Sequence, residues 1–225
     1  RVSLVGSEMC IRDRNNVGER DLRKVYSRIV KLDEWIGEKI KELEEENLLD
    51  KTIVFFYSDH GGPLPRQKRL LYDSGLKVPL IIRFPDGQRA GKRDKRLVSF
   101  VDFPTTVLSL AGIKPPSFMQ GEAFEGKFKS KSVRKYIHGH ADRFDESVDM
   151  IRAVRSKKYK YLKNFQPEKP YYLPLAFRER LPSMQELLRM RDAGELDENQ
   201  SLWFRKTKPE EELFDTENDP HELNN

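Results

Sequence analysis

The feature that most constrains this chain is the run Thr52-Ile-Val-Phe-Phe-Tyr57, which passes without a spacer into Ser58-Asp59-His60-Gly61-Gly62. Every residue of the run is apolar, β-branched or aromatic, so it has no polar face to turn toward water. That pattern suits a strand of a parallel sheet, covered on both sides. In open α/β sheets, ligands bind beyond the carboxyl ends of the strands, and Asp59 and His60 emerge there. An acid and an imidazole followed by two glycines, which allow close backbone approach, suit a metal or anion site. An aspartate capping a tight turn beside an incidental histidine has the same spacing, so the residues alone leave both readings open. Eight residues after His60 comes Lys68, within Arg66-Gln-Lys-Arg69. It could return toward a bound anion and hold an oxyanion by charge; a solvated basic loop explains it equally.

The surrounding pattern predicts an α/β fold. From Arg20 to Asn47 the apolar residues Leu22, Val25, Ile29, Leu32, Ile36, Ile40 and Leu43 recur in steps of three and four, the mark of one long amphipathic helix. A second strand is predicted over Val78–Phe84, with Pro79 near its start. A helix is predicted over Val101–Ala111, with Pro104 in its first turn and Gly112 as its stop. After about residue 115 the pattern changes to short strands at Arg134–His138, Asp149–Arg155 and Tyr159–Lys163. The last two are joined by Ser156-Lys-Lys158 as a hairpin. A helix follows from Pro182 to Ala193, ended by Gly194. The expected organisation is therefore the C-terminal part of an α/β sheet domain over 15–115 and a smaller antiparallel α+β subdomain with a tail over 116–225. Lys157, Lys158, Lys160 and Lys163 are expected on a solvated strand face. Tyr171 and Tyr172 are expected in a packed loop, Trp203 and Phe204 as anchors of the C-terminal segment, and His221 in a polar tail without a role.

A second polar cluster lies at His138-Gly-His140-Ala-Asp142-Arg143-Phe-Asp145-Glu146. Residues two apart share one face of a strand, so His138 and His140 near two acids could bind a metal or move protons. A strand-end loop satisfied by its own hydrogen bonds is the competing account.

Composition removes several classes. The 225 residues carry 42 Lys plus Arg against 37 Asp plus Glu, a net +5 spread along the chain rather than gathered into a basic block. That argues against a nucleic-acid-binding arm. No apolar run is long enough to span a membrane. The single cysteine, Cys10, rules out an internal disulfide framework and a cysteine-based zinc site. Residues 1–14 have no helical or strand period and read as a non-native read-through tail, so Cys10 is given no role. With no initiator Met, the chain is expected to be a fragment lacking its front half.

Thr52-Ile-Val-Phe-Phe-Tyr-Ser-Asp-His-Gly61, then Lys68-Arg-Leu-Leu-Tyr-Asp-Ser-Gly-Leu-Lys-Val-Pro-Leu-Ile-Ile-Arg83, resembles the back half of a type I sulfatase of the alkaline phosphatase superfamily. The tail Glu211-Glu-Leu-Phe-Asp-Thr-Glu-Asn-Asp-Pro-His-Glu-Leu-Asn-Asn225 is similar to that family's closing segment, and the nearest flavour is that of bacterial heparan N-sulfatase-like members. The resemblance implies that Asp59 and His60 ligate a divalent metal, calcium in most relatives, and that Lys68 contacts a sulfate oxygen. It also implies that the His140 and Arg143 segment lies beside the pocket and contacts substrate, where Arg143 could pair with an anionic sugar group. An imidazole equally suits zinc or manganese, since calcium prefers oxygen. The implied nucleophile is a formylglycine made from Cys or Ser in a Cys/Ser-x-Pro/Ala-x-Arg motif. Cys10-Ile-Arg-Asp-Arg14 fails that motif at Arg12, so the nucleophile and an upstream Asp-Asp pair are expected in the missing half. The implied parent is a periplasmic or secreted enzyme acting on sulfated carbohydrate, and this chain alone is expected to be inactive. Two other readings are a metal-dependent phosphodiesterase of the same superfamily and a non-catalytic basic module that binds polyanionic glycans.

Overall fold

A computed structural model describes residues 16–225. The expectations for residues 1–14, Cys10 among them, lie outside the described residues. The chain opens with α1 (Asn16–Glu45), followed by β1 (Val54–Tyr57), a short α2 (Asp73–Leu76), β2 (Leu80–Arg83) and α3 (Asp102–Leu110). Then come β3 (Ile137–Phe144), β4 (Ser147–Arg155), β5 (Tyr159–Asn164), α4 (Ala176–Glu179), α5 (Pro182–Ala193), α6 (Glu198–Trp203) and β6 (Glu211–Asp215).

Helix α1 starts four residues before the apolar period does and stops two residues short of Asn47. Its N-terminal end is fixed by Asp21, a buried carboxylate that accepts the Ser183 amide at 3.0 Å and so caps the first turn of α5. Beyond that point Tyr26, Ile29, Leu32 and Trp35 stay exposed on the apolar stripe.

β1 and β2 form a two-stranded antiparallel sheet, with Val54 opposite Arg83 and Tyr57 opposite Leu80. The parallel arrangement expected for 52–57 is thus corrected: its partner among the described residues runs the other way. The apolar run does not set strand direction, and the expected cover on both faces is also corrected: Val54, Phe55 and Phe56 are half-buried and Tyr57 is exposed. Phe103 of α3 packs under the pair, its ring 4.9 Å from Tyr57 and 5.1 Å from Phe100. Buried Asp102 locks α3 in place by accepting the amides of Ser99 (2.9 Å) and Glu122 (2.8 Å) and pairing with Arg134 at 2.5 Å.

The second sheet is an antiparallel meander in the order β3-β4-β5-β6. The predicted hairpin is present as β4 and β5, with Ala153 opposite Leu162. β3 starts later than expected and runs on through the His138–Phe144 cluster, with an irregularity between Ala141 and Arg143. β6 takes the place of what reads in sequence as a polar tail. α5 has the predicted limits, with Pro182 in its first turn and Gly194 closing it at φ 70°. Met184, Leu187, Leu175 and Trp203 fill the space between these helices and the sheet, against Leu162, Ala153 and Phe214. Leu70, Leu71 and Tyr72, from the loop after β1, enter the same core.

The expectation of a solvated Lys160 is overturned. The strand period puts Lys160, Leu162 and Asn164 on one face, and that face is the buried one. The Lys160 side chain is 0% exposed and paired with Asp73 and Glu222.

Helix α6 carries a complete capping box: Asp197 accepts the Gln200 amide at 2.8 Å, and the Gln200 side chain accepts the Asp197 amide at 3.1 Å. Asp197→Ala should lower stability by about 1 kcal/mol, read as a shift in the urea midpoint at unchanged m-value.

Candidate functional site

The site is built from one loop, residues 58–76, between β1 and β2. The chain leaves β1 at Tyr57, and Ser58 turns it by donating its hydroxyl to the His60 carbonyl at 2.7 Å. The Gly61 amide then donates to the Gly75 carbonyl at 2.9 Å, and the Lys68 amide to the Gly62 carbonyl at 3.0 Å. These two bonds draw the Asp59-His60 corner and Lys68 into one compact unit.

The glycines are required by closeness. A Cβ on Gly61 would lie 1.9 Å from the Ser74 carbonyl oxygen and 2.7 Å from the Gly75 Cα. Gly61→Ala should therefore cost about 1–3 kcal/mol. Gly37→Ala, in the middle of α1 with nothing within 4 Å, should stabilise by about 0.5–1 kcal/mol. Urea titration of the two variants checks both signs.

The Asp59 side chain is 83% exposed, with its Oδ1 3.6 Å from His60 Nε2. His60 Nδ1 lies 2.7 Å from the Gly61 carbonyl oxygen. A carbonyl only accepts, so Nδ1 is the donor in this contact, and Nε2 is the ring nitrogen turned toward Asp59. The corner thus presents a carboxylate and an imidazole nitrogen as adjacent donors, which fits two positions in a metal shell. Among the described residues no group of three or more His, Cys, Asp or Glu gathers there.

Three cations follow, and two are committed. Arg66 donates to the carbonyls of His221 (2.6 Å) and Glu222 (2.7 Å) and stacks on Tyr72 with Cζ 3.9 Å from the ring centroid. Arg69 pairs with Asp145 at 2.5 Å. Both hold a left-handed backbone, at φ 59° and 74°, which is uncommon for a residue with a side chain. Lys68 between them has no ion pair among the described residues. Its ammonium lies 5.5 Å from the Phe177 ring centroid.

The second cluster is placed differently. His138, His140 and Asp142 share the exposed face of β3, and Asp142 pairs with Arg152 at 2.5 Å. Arg143 is exposed and donates through Nε to the Asp145 carbonyl at 2.6 Å, within its own turn. Gly139, between the two histidines, faces Leu71 and Leu76. The strand is thus seated against the site loop with its histidines turned outward.

What sequence reasoning missed lies underneath the loop. Burial would raise the Asp73 carboxyl, but the bonds from Arg155 and Lys160 outweigh it and hold it at about 2. Burial pushes Glu222 up, against the pull of Lys160. The one sequence signal was a lysine at an inward position of the β5 alternation.

An exposed acid–imidazole corner at the carboxyl end of a strand, tied to an uncommitted lysine, can hold a metal and an anion bound to it. Residues 7–113 match the Sulfatase family model and residues 66–179 the model for the N-sulphoglucosamine sulphohydrolase C-terminal region. The chain belongs to the sulfatase family. An ulvan-active sulfatase of Formosa agariphila is 56% identical to it, over 92% of this chain and 35% of its own length. Human N-sulphoglucosamine sulphohydrolase is 24% identical, over 91% and 43%. Among solved structures, a protein in complex with its substrate D-glucosamine-2-N,6-O-disulfate superposes with a TM-score of 0.60 at 26% identity, covering 88% of this chain and 34% of that one. The chain thus spans between a third and a half of the length of these relatives.

Proposed function

We propose that this chain belongs to a sulfatase that releases sulfate from a sulfated polysaccharide of the ulvan kind. Asp59 and His60 would hold a divalent cation, and Lys68 would take one sulfate oxygen. The observation that carries this reading is the placement of Lys68: bonded through its backbone to the Asp59–Gly62 corner, it is the loop cation left uncommitted while Arg66 and Arg69 are paired. A bound cation would supply positive charge to the sulfate oxygens. Calcium is the preferred metal by family resemblance, although the imidazole also suits zinc or manganese. The formylglycine nucleophile would come from the part of the enzyme that precedes this loop in sequence. His140 and Arg143 would meet the sugar only if Arg143 leaves its turn, so they are assigned here to the outer rim of the substrate site.

The 56% identity with the ulvan-active relative, against 24% with the human enzyme, favours ulvan over N-sulfated glucosamine as substrate. A polymer too large to cross a membrane would be met in the periplasm or outside the cell, which supports a periplasmic or secreted enzyme. The test is to express the complete coding sequence and follow sulfate release from ulvan oligosaccharides and from N-sulfoglucosamine, with and without chelator. Chelator-sensitive release from ulvan is expected. An upstream region lacking a Cys/Ser-x-Pro/Ala-x-Arg motif, with no release from either substrate, would overturn the reading.

A further inference from the structure

The loop that carries Lys68 is held from below by residues far away in sequence. Glu222, in the segment after β6, is 2% exposed and holds a left-handed backbone at φ 55°. Its Oε2 accepts the Asp73 amide at 2.5 Å, at the first residue of α2. Its Oε1 lies 2.7 Å from Lys160 Nζ. Lys160 in turn pairs with Asp73 Oδ1 at 2.6 Å and donates to the Leu71 carbonyl at 3.0 Å. From the other side, Arg66 grips the carbonyls of His221 and Glu222 while its own carbonyl accepts the Ser74 hydroxyl at 2.7 Å. The segment containing Glu222 is itself pinned, since Asp219 accepts the amides of Leu223 (2.7 Å) and Asn224 (2.8 Å).

We infer that Glu222 is a positioning residue for Lys68: the C-terminal segment is a strap that, with Lys160 and Arg66, fixes the 66–73 stretch, left-handed at Arg66 and Arg69, and thereby sets where the Lys68 ammonium stands. The physical case is one of strain and compensation. Two non-glycine residues in left-handed conformation flank Lys68, and such backbone persists only where its surroundings over-determine it. Arg66 is held by the strap directly. Arg69 is followed by Leu71 and Asp73, whose carbonyl and amide are held by Lys160 and Glu222. A strap that served stability alone could have been tied anywhere on the sheet. This one is tied two residues before Lys68 and five residues after it. The inference rests on the sulfatase reading for the role of Lys68, but not for the mechanics.

The test compares Glu222→Ala and Arg66→Ala with Leu187→Ala, a variant in the hydrophobic core that α5, the sheet and the loop share. Amide hydrogen exchange is followed in the 225-residue chain under native conditions. Glu222→Ala and Arg66→Ala should speed exchange at Gly61, Lys68, Leu70 and Gly75 by at least tenfold, with Ala153 and Leu162 of the sheet changing less than threefold. Leu187→Ala should move both sets together. Arg66→Lys, which keeps the charge and can reach one carbonyl, should recover part of the protection. Loop and sheet amides accelerating in step in Glu222→Ala would make the strap merely structural, and unchanged loop amides would remove it altogether; either overturns the inference. A second arm titrates inorganic sulfate while observing the Lys68 side-chain NMR signals. Glu222→Ala should weaken the sulfate-induced shift at least fivefold, and an undiminished shift would count against positioning. If sulfate leaves Lys68 unmoved in the unsubstituted chain, the functional reading of Lys68 fails, and the exchange data alone decide whether the strap holds the loop.

Discussion

Lys68→Ala in the full-length enzyme should lower kcat/KM for sulfate release by about 10²–10³-fold, the usual cost of removing one preorganised charge donor from a developing oxyanion. The same substitution should leave stability within about 0.5 kcal/mol, because Lys68 is half-buried and has no ion pair among the described residues to lose. The dissociation of the two effects is the point of the experiment. Arg69→Ala should do the reverse in part, since its guanidinium is committed to Asp145 and lies 5.3 Å from the Phe177 ring. Lys68→Arg should recover some activity, as charge is kept while the fork geometry differs. Steady-state kinetics beside urea titration of each variant decides the matter. A loss smaller than tenfold for Lys68→Ala would remove it from the site, and a large stability loss would recast it as a structural cation.

The parts of this architecture that were legible in sequence are those fixed by local chemistry. Pro182 and Gly194 bound α5 because a missing amide and a left-handed stop act within one turn. The β4–β5 hairpin was legible from two short strands separated by Ser156-Lys-Lys158. The position of Asp59 and His60 just past an apolar strand was likewise plain, since strand ends follow from the end of the apolar run.

What escaped was settled by long-range pairing. Nothing around Thr52–Tyr57 says that its neighbour will be Leu80–Arg83 running antiparallel. The segment Glu211–Asp215 looks solvated because three of its five residues are acidic, yet Leu213 and Phe214 sit in a strand whose Glu212 carboxylate accepts from the Asn164 side-chain Nδ2 at 2.7 Å. Lys160 looks like one more exposed lysine until Asp73 and Glu222, 87 residues before and 62 after it, are brought to its ammonium. A buried charge is readable only when its partner is known, and here every partner lies on another element.

The same logic gives the largest expected effect on stability, at Lys208. Its side chain is 0% exposed and donates to Asp149, whose side chain is 3% exposed, so each ion is the other's main compensation. Lys208→Met leaves the Asp149 carboxylate buried with, among the described residues, only the Met150 amide at 2.8 Å to satisfy it. Breaking such a pair from one side costs about 3–5 kcal/mol, because the surviving charge must stay desolvated or take up a proton. That is a large share of the roughly 5–15 kcal/mol that holds a typical domain together. Removing both charges with Lys208→Met and Asp149→Leu should cost much less than the single variant, since no orphaned ion remains and the site lies beside Leu162, Leu173 and Trp203. The double-mutant cycle, measured by urea unfolding, should therefore return a coupling of several kcal/mol. If the double variant were as unstable as Lys208→Met alone, the damage would come from lost packing around the lysine stem rather than from the stranded carboxylate. The pair would then be a spacer between β4 and the segment leading into β6, with its charge incidental.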